Sequence, residues 1–171
     1  MCGGYSKGAV RGVTSARVGR RWKAVLAAAA VLVLTGCGVS IPSDPDGTLA
    51  RAAGDELRIG LAIEPGLIDS GDPPTGPLVD VAREYAASID ADAKWQIGSE
   101  EALVEMLEHQ RIDIAFGHFS PQSPWSDRAA LSRPFTLQER DSGELVALMP
   151  LGENALVSNF EHFIDDSGRA Q

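Results

Sequence analysis

Apolar positions along the chain fall into short continuous runs separated by longer amphipathic stretches. Leu57 to Ile63 (LRIGLAI), Ala93 to Ile97 and Ile112 to Phe116 (IDIAF) have the length and aliphatic content of buried strands. Pro77 opens a stretch in which Leu78, Val81, Ala82, Tyr85 and Ile89 recur at helical spacing, which predicts a helix with one continuous apolar face. Burying that face is worth on the order of 10 kcal/mol before chain entropy is subtracted, so the helix is expected only as part of a packed domain. Ser99 reads as the N-cap of a second helix, with Glu100 and Glu101 at its positive end and Leu103, Val104 and Leu107 turned inward, ending near His109. Leu145 to Met149 predicts a further strand, and Leu156, Val157, Phe160, Phe163 and Ile164 predict a last amphipathic helix.

Strand, helix, strand, helix, strand with short connections implies a parallel sheet with right-handed crossovers, an α/β fold. Two stretches carry no period. Residues 64–76 (EPGLIDSGDPPTG) read as a turn-rich loop, and residues 117–135 are too rich in Pro and Ser for a regular element over most of their length. Residues 38–54, rich in Gly, Pro, Ser and Asp, read as a disordered tether ahead of one domain spanning residues 56–166, with 167–171 as a C-terminal tail.

A different pattern occupies the front of the chain. Ala24 to Gly36 holds thirteen uncharged, mostly apolar residues and closes on Leu34-Thr35-Gly36-Cys37. Roughly 20 apolar residues are needed to span a bilayer as a helix, so this run is too short to span and has the length of a signal-peptide core. Lys7, Arg11, Arg17, Arg20, Arg21 and Lys23 precede it, and the first acid is Asp44, the charge layout of a segment held on the cytoplasmic side. LTGC resembles the bacterial lipobox, which implies residues 1–36 as a lipoprotein signal peptide and Cys37 as the lipid-bearing residue. Its expected partner is therefore the membrane, reached through lipid, with the domain on the extracytoplasmic side of the cell membrane. The competing reading is a buried core helix with an ordinary thiol at Cys37. Arg20-Arg21 fits a twin-arginine signal poorly, and the choice of export route stays open.

Composition changes once that segment is set aside. Six of the 15 basic residues precede Cys37, so nine basic residues face all 24 acidic ones, a net charge of −15. So acidic a chain is not expected to bind nucleic acid or anionic lipid. Cys2 departs with the signal and Cys37 takes lipid, which leaves no cysteine for a disulfide.

Along LRIGLAIEPGLID, PLVDVAREYAASI, GSEEALVEMLEHQRIDIAFG and SPW followed by LSRPF, the chain resembles the amino-acid-type extracellular solute-binding proteins, family 3, that feed ABC importers. The resemblance implies a periplasmic-binding-protein type II-like fold, and it also exposes a departure. Family members trap solute between two lobes joined by hinge strands, whereas here Phe135 is followed by only TLQERDSGE before a return strand and helix. One lobe is therefore expected, with a nine-residue link in place of the second: a mostly parallel sheet flanked by helices.

Open α/β sheets bind ligand at the carboxyl ends of their strands, and Glu64, Ser99, His118 and Ser120 all follow predicted strand ends. The resemblance implies polar ligand contacts at Ser99 and Glu100 and a hydroxyl contact at Ser120. It also implies an arginine to clamp a solute carboxylate, a place near which Trp125 stands, with Arg128 slightly late. The aromatic expected after the first strand is missing from Glu64-Pro65-Gly66-Leu67. Plainer readings stand beside each: a helix cap for Ser99, a solvated acid for Glu100, a surface residue for His118, a core cover for Trp125. His109 and His162 have no spaced partner, so no metal site is expected, and no cofactor motif is found.

Two function classes follow. The first is a lipid-anchored, non-enzymatic solute-binding protein that serves an ABC permease and takes a small polar solute such as an amino acid, a homodimer or partner supplying the second wall. The second is an interaction or regulatory lipoprotein that keeps the fold without binding solute. Dehydratases and cell-wall lyases that share this fold form an enzymatic class, but they need a second lobe or an added domain.

Overall fold

The computed structural model describes residues 44–137 and 142–170. Cys37, the run before it and the first part of the expected tether lie outside the described residues. In chain order the elements are α1 (Thr48–Ala52), β1 (Glu56–Leu61), α2 (Pro77–Ser88), β2 (Asp92–Ile97), α3 (Glu100–Glu108), β3 (Ile114–Phe116), β4 (Ala130–Leu131), β5 (Leu148–Met149) and α4 (Asn154–Asp166). The sheet order is β2-β1-β3-β5-β4. β1 pairs in parallel with β2 (Leu61 opposite Ile97) and with β3 (Leu61 opposite Phe116), while β5 runs antiparallel to both β3 and β4. The expected α/β lobe is therefore present, its sheet mostly parallel as expected, with β5 alone running against the other four strands.

Each face of the sheet carries its own core. On one side Leu57, Ile59 and Leu61 of β1 pack with Leu78, Val81, Ala82 and Tyr85 of α2 and Leu156, Phe160 and Ile164 of α4. Tyr85, Phe116, Phe135 and Phe163 surround the Phe160 ring at centroid distances of 5.0 to 6.2 Å, edge-on or tilted. The Tyr85 hydroxyl donates to Asn159 Oδ1 at 3.1 Å, and burial, with a smaller contribution from the Asp113 charge, pushes its pKa well up. On the other side Leu103, Val104 and Leu107 of α3 meet Ile112, Ala115, Phe119, Val146 and Leu148. Gly60 lies at the centre of that second face, where an added Cβ would come within 2.5 Å of Ile112 Cδ1 and 2.8 Å of Leu103 Cδ2.

Three expectations need correction. The later part of the expected tether is folded: α1 is a short helix with Thr48 and Ala52 buried, and Ala52 belongs to the core. It is held by tertiary contacts that composition does not show, since the buried Glu153 carboxylate accepts the N–H groups of Asp46 (3.1 Å) and Thr48 (3.2 Å) from more than 100 residues away. Second, the Pro- and Ser-rich stretch contains β4, a two-residue strand paired to β5. Third, the tail is packed: Ala170 forms a bridge with Phe135, and Arg169 pairs with Glu84 at 2.8 Å.

The link after Phe135 closes on itself. Phe135 and Leu145 exchange both backbone hydrogen bonds at 2.9 Å, so the chain returns beside the point at which it left; residues 138–141 lie outside the described set. Val146 donates to the Phe119 carbonyl (3.0 Å), beyond the end of β3, which places the Phe135–Leu145 pairing at the carboxyl edge of the parallel strands.

Candidate functional site

Because β1, β2 and β3 are parallel neighbours, the segments leaving them emerge side by side at one edge, with the β1 segment in the middle. Backbone bonds extend each ladder past the last strand residue: Ala62 donates to the Phe116 carbonyl (2.9 Å) and Gly98 to the Leu61 carbonyl (3.1 Å). Glu64, Ser99, Glu100, His118 and Ser120 all lie on these three segments. The first four are exposed and Ser120 is half-buried.

The segment after β1 is folded tightly. Glu64 and Ile68 exchange hydrogen bonds (2.8 and 3.2 Å) around a turn that uses Gly66 at positive φ, and Asp69 and Thr75 exchange another pair (2.8 and 3.2 Å). Gly76 closes the loop at φ 124°, where a Cβ would stand 2.5 Å from the Leu67 carbonyl oxygen. Leu67 and Ile68 are buried, so the loop is pinned to the core while the Glu64 side chain stays in water.

Ser99 is the N-cap of α3, its Oγ accepting the Ala102 N–H at 3.3 Å. Its capping role is visible, and its exposed hydroxyl retains free acceptor and donor capacity. Glu100 Oε2 accepts the indole N–H of Trp125 (3.3 Å), a half-buried residue that packs against the second core. Trp125 thus covers the core, the plainer of its two readings, and also reaches the first residue of α3.

Arg128 is turned elsewhere. Its guanidinium lies 5.7 Å from the Trp125 ring and grips Glu108, at the far end of α3, through two bonds of 2.7 and 2.6 Å. That bidentate pair holds the Glu108 carboxyl below its usual pKa and raises that of Arg128. Sequence reasoning did not find it, because its partners sit 20 residues apart on a helix and an irregular loop. Two further bases among the described residues are also paired: Arg83 with Asp80 (2.6 Å), and Arg133 with Asp165 (2.7 Å) and Glu161 (3.2 Å). Arg133, Glu161, Asp165, Pro134, Ile164 and Ala170 line a small cavity of about 60 Å³ on the flank of α4. Among the described residues, no three His, Cys, Asp or Glu side chains gather to hold a metal ion, and no helix is long and apolar enough to cross a membrane.

No protein-family model matches the chain, and no curated protein matches it in sequence. Solved structures do match in fold. Domain 1 of the arginine-binding protein TmArgBP, in its arginine-bound form, aligns with a TM-score of 0.59 at 21% identity, over 71% of this chain and 98% of that one. A point variant of the same domain gives 0.60 at 18% identity, over 69% and 95%. A truncated arginine-bound ArgBP from T. maritima gives 0.59 at 11% identity, over 71% and 99%. The chain therefore shares the fold of domain 1 of that arginine-binding protein, and the match covers nearly the whole length of each of the three structures.

Proposed function

We propose that this protein is a one-lobe solute-binding protein, held at the outer face of a membrane by lipid on Cys37 and presenting a small polar solute, amino acids included, to an ABC-type importer. The observation that carries the proposal is the set of three adjacent strand ends, which bring Glu64, Ser99, Glu100, His118 and Ser120 to one open edge of a lobe that shares its fold with arginine-bound domains. On this reading the protein positions solute and does no covalent chemistry. With Arg128 committed to Glu108, a solute carboxylate meets no unpaired guanidinium among the described residues of these strand-end segments, whereas an ammonium or guanidinium group has Glu64 and Glu100. Cationic solutes should therefore bind better than anionic ones. One open wall desolvates a ligand poorly, so affinity should be modest.

The second reading, an interaction lipoprotein without solute, is favoured by the same Arg128–Glu108 pair and by the Trp125 bond to Glu100, which together occupy groups a ligand would use. Thermal unfolding separates the two. A ligand that binds the native state adds RT ln(1 + [L]/Kd), about 2.7 kcal/mol at a hundredfold excess over Kd, a shift of several degrees for a domain of this size. A midpoint raised by lysine, arginine or agmatine but not by glutamate supports the solute reading. A cooperative transition that no solute moves supports the second.

A further inference from the structure

The carboxyl edge carries a feature that a polar solute does not explain. Ile63 (38% exposed) and Ile97 (51%) are two of the three exposed large hydrophobic residues among those described. They are neighbours in the ladder: Ile97 is the register partner of Leu61, and Ile63 follows Leu61 by two residues. Leu61 itself is fully buried, so the two isoleucines continue a core row past the end of the sheet and into water. On the described segments that carry them the charge has one sign. Residues 59–82, 95–110 and 114–127 contain no Lys or Arg, and Glu64, Asp69, Asp72, Glu100 and Glu101 are all exposed there. The bases nearest in sequence, Arg83, Arg128 and Lys94, are turned to Asp80, Glu108 and Glu56.

We propose that this edge is a docking surface for another protein whose contact face has an apolar centre ringed by Lys and Arg. Burial of Ile63 and Ile97 supplies the attraction, and the acidic rim selects the partner by complementary charge and speeds its approach. A second copy of this chain fits poorly, because a two-fold contact would set Glu64, Glu100 and Glu101 against the same acids. The proposal rests on the fold and the edge, and it stands whether or not solute binds.

The test uses the protein with a defined probe, a labelled helical peptide with leucine on one face and lysine on the other, followed by fluorescence anisotropy. A leucine/glutamate peptide of the same length is the control. Binding of the basic peptide should weaken at least about tenfold in Ile63→Ser/Ile97→Ser, and by a similar factor in Glu64→Gln/Glu100→Gln/Glu101→Gln. It should be unchanged in Leu151→Ser, which removes the third exposed hydrophobe at the opposite edge, and the acidic peptide should not bind. Equal affinity in Ile63→Ser/Ile97→Ser and Leu151→Ser would overturn the proposal, reducing the binding to general charge attraction. A concentration-dependent dimer abolished by Ile97→Ser would assign the edge to a second copy instead. Complete displacement of the peptide by free lysine would assign it to a small cation. Failure of the solute reading is seen separately, in the thermal shifts.

Discussion

The two ends of the parallel strands are built to opposite rules. At the amino edge two carboxylates are buried and bonded. Asp113, with its side chain 1% exposed, receives Arg51 Nη2, Arg58 Nε (3.1 Å), Arg58 Nη2 (2.5 Å) and the Arg58 N–H (2.9 Å). Glu153, fully buried, holds the start of α1. At the carboxyl edge the acids are exposed and two isoleucines face water. Buried, multiply bonded carboxylates cost the fold heavily when a partner is lost, while exposed ones can be exchanged at little cost. Stability is thus concentrated at one edge, which leaves the other free to serve a partner or solute.

The largest effect that should follow from this contrast is at Asp113. Replacing it with Ala leaves two guanidinium groups around an emptied position and should cost about 3 kcal/mol in denaturant unfolding. Glu153→Ala should cost about 2 kcal/mol, because the Asp46 and Thr48 N–H groups lose their acceptor, and the amides of residues 46–52 should exchange faster. The same segment should loosen in acid. Burial opposes ionisation of Asp44, but hydrogen bonding with the Glu153 carboxyl and to the Ala50, Leu49 and Thr48 N–H groups outweighs it, so its pKa is held below 3.8. A depressed folded-state pKa contributes stability above the unfolded value and loses it as pH falls through the folded one, so protection of α1 should decline below about pH 3.8.

Smaller effects belong to the carboxyl edge. Ser99→Ala removes the α3 cap and should cost about 1 kcal/mol. Glu64→Gln and His118→Ala should change stability by less than about 0.5 kcal/mol. A loss of several kcal/mol at either position would erase the contrast between the edges.

Much of this layout is visible in the sequence wherever a period is long enough to declare itself. β1 and β2, the apolar faces of α2, α3 and α4, and the Ser99 cap all follow from local spacing. α1 does not, because five residues carry no usable period and the helix depends on Glu153, which joins it only in the folded chain. β4 is hidden for a similar reason: two residues between Pro-rich turns become a strand only because β5 returns beside them. β3 begins at Ile114 rather than Ile112, and the Asp113 side chain is drawn to Arg51 and Arg58 just before it. The strand-end rule also leads to Glu64, Ser99, His118 and Ser120, which lie on the segments leaving one edge. The capture of Arg128 by Glu108 and of Glu100 by Trp125 is a matter of side-chain partnership across 20 to 25 residues, to which no short motif points.

Amide hydrogen exchange, followed residue by residue with and without lysine or the basic peptide, tests the division of labour most directly. The account predicts that Thr48, Arg58 and Asp113 exchange only through global unfolding, that Ala102 and the amides of residues 117–120 open locally, and that added ligand slows only the second group. Local opening at Thr48 and Asp113, or ligand protection that appears there rather than at the carboxyl edge, would contradict it.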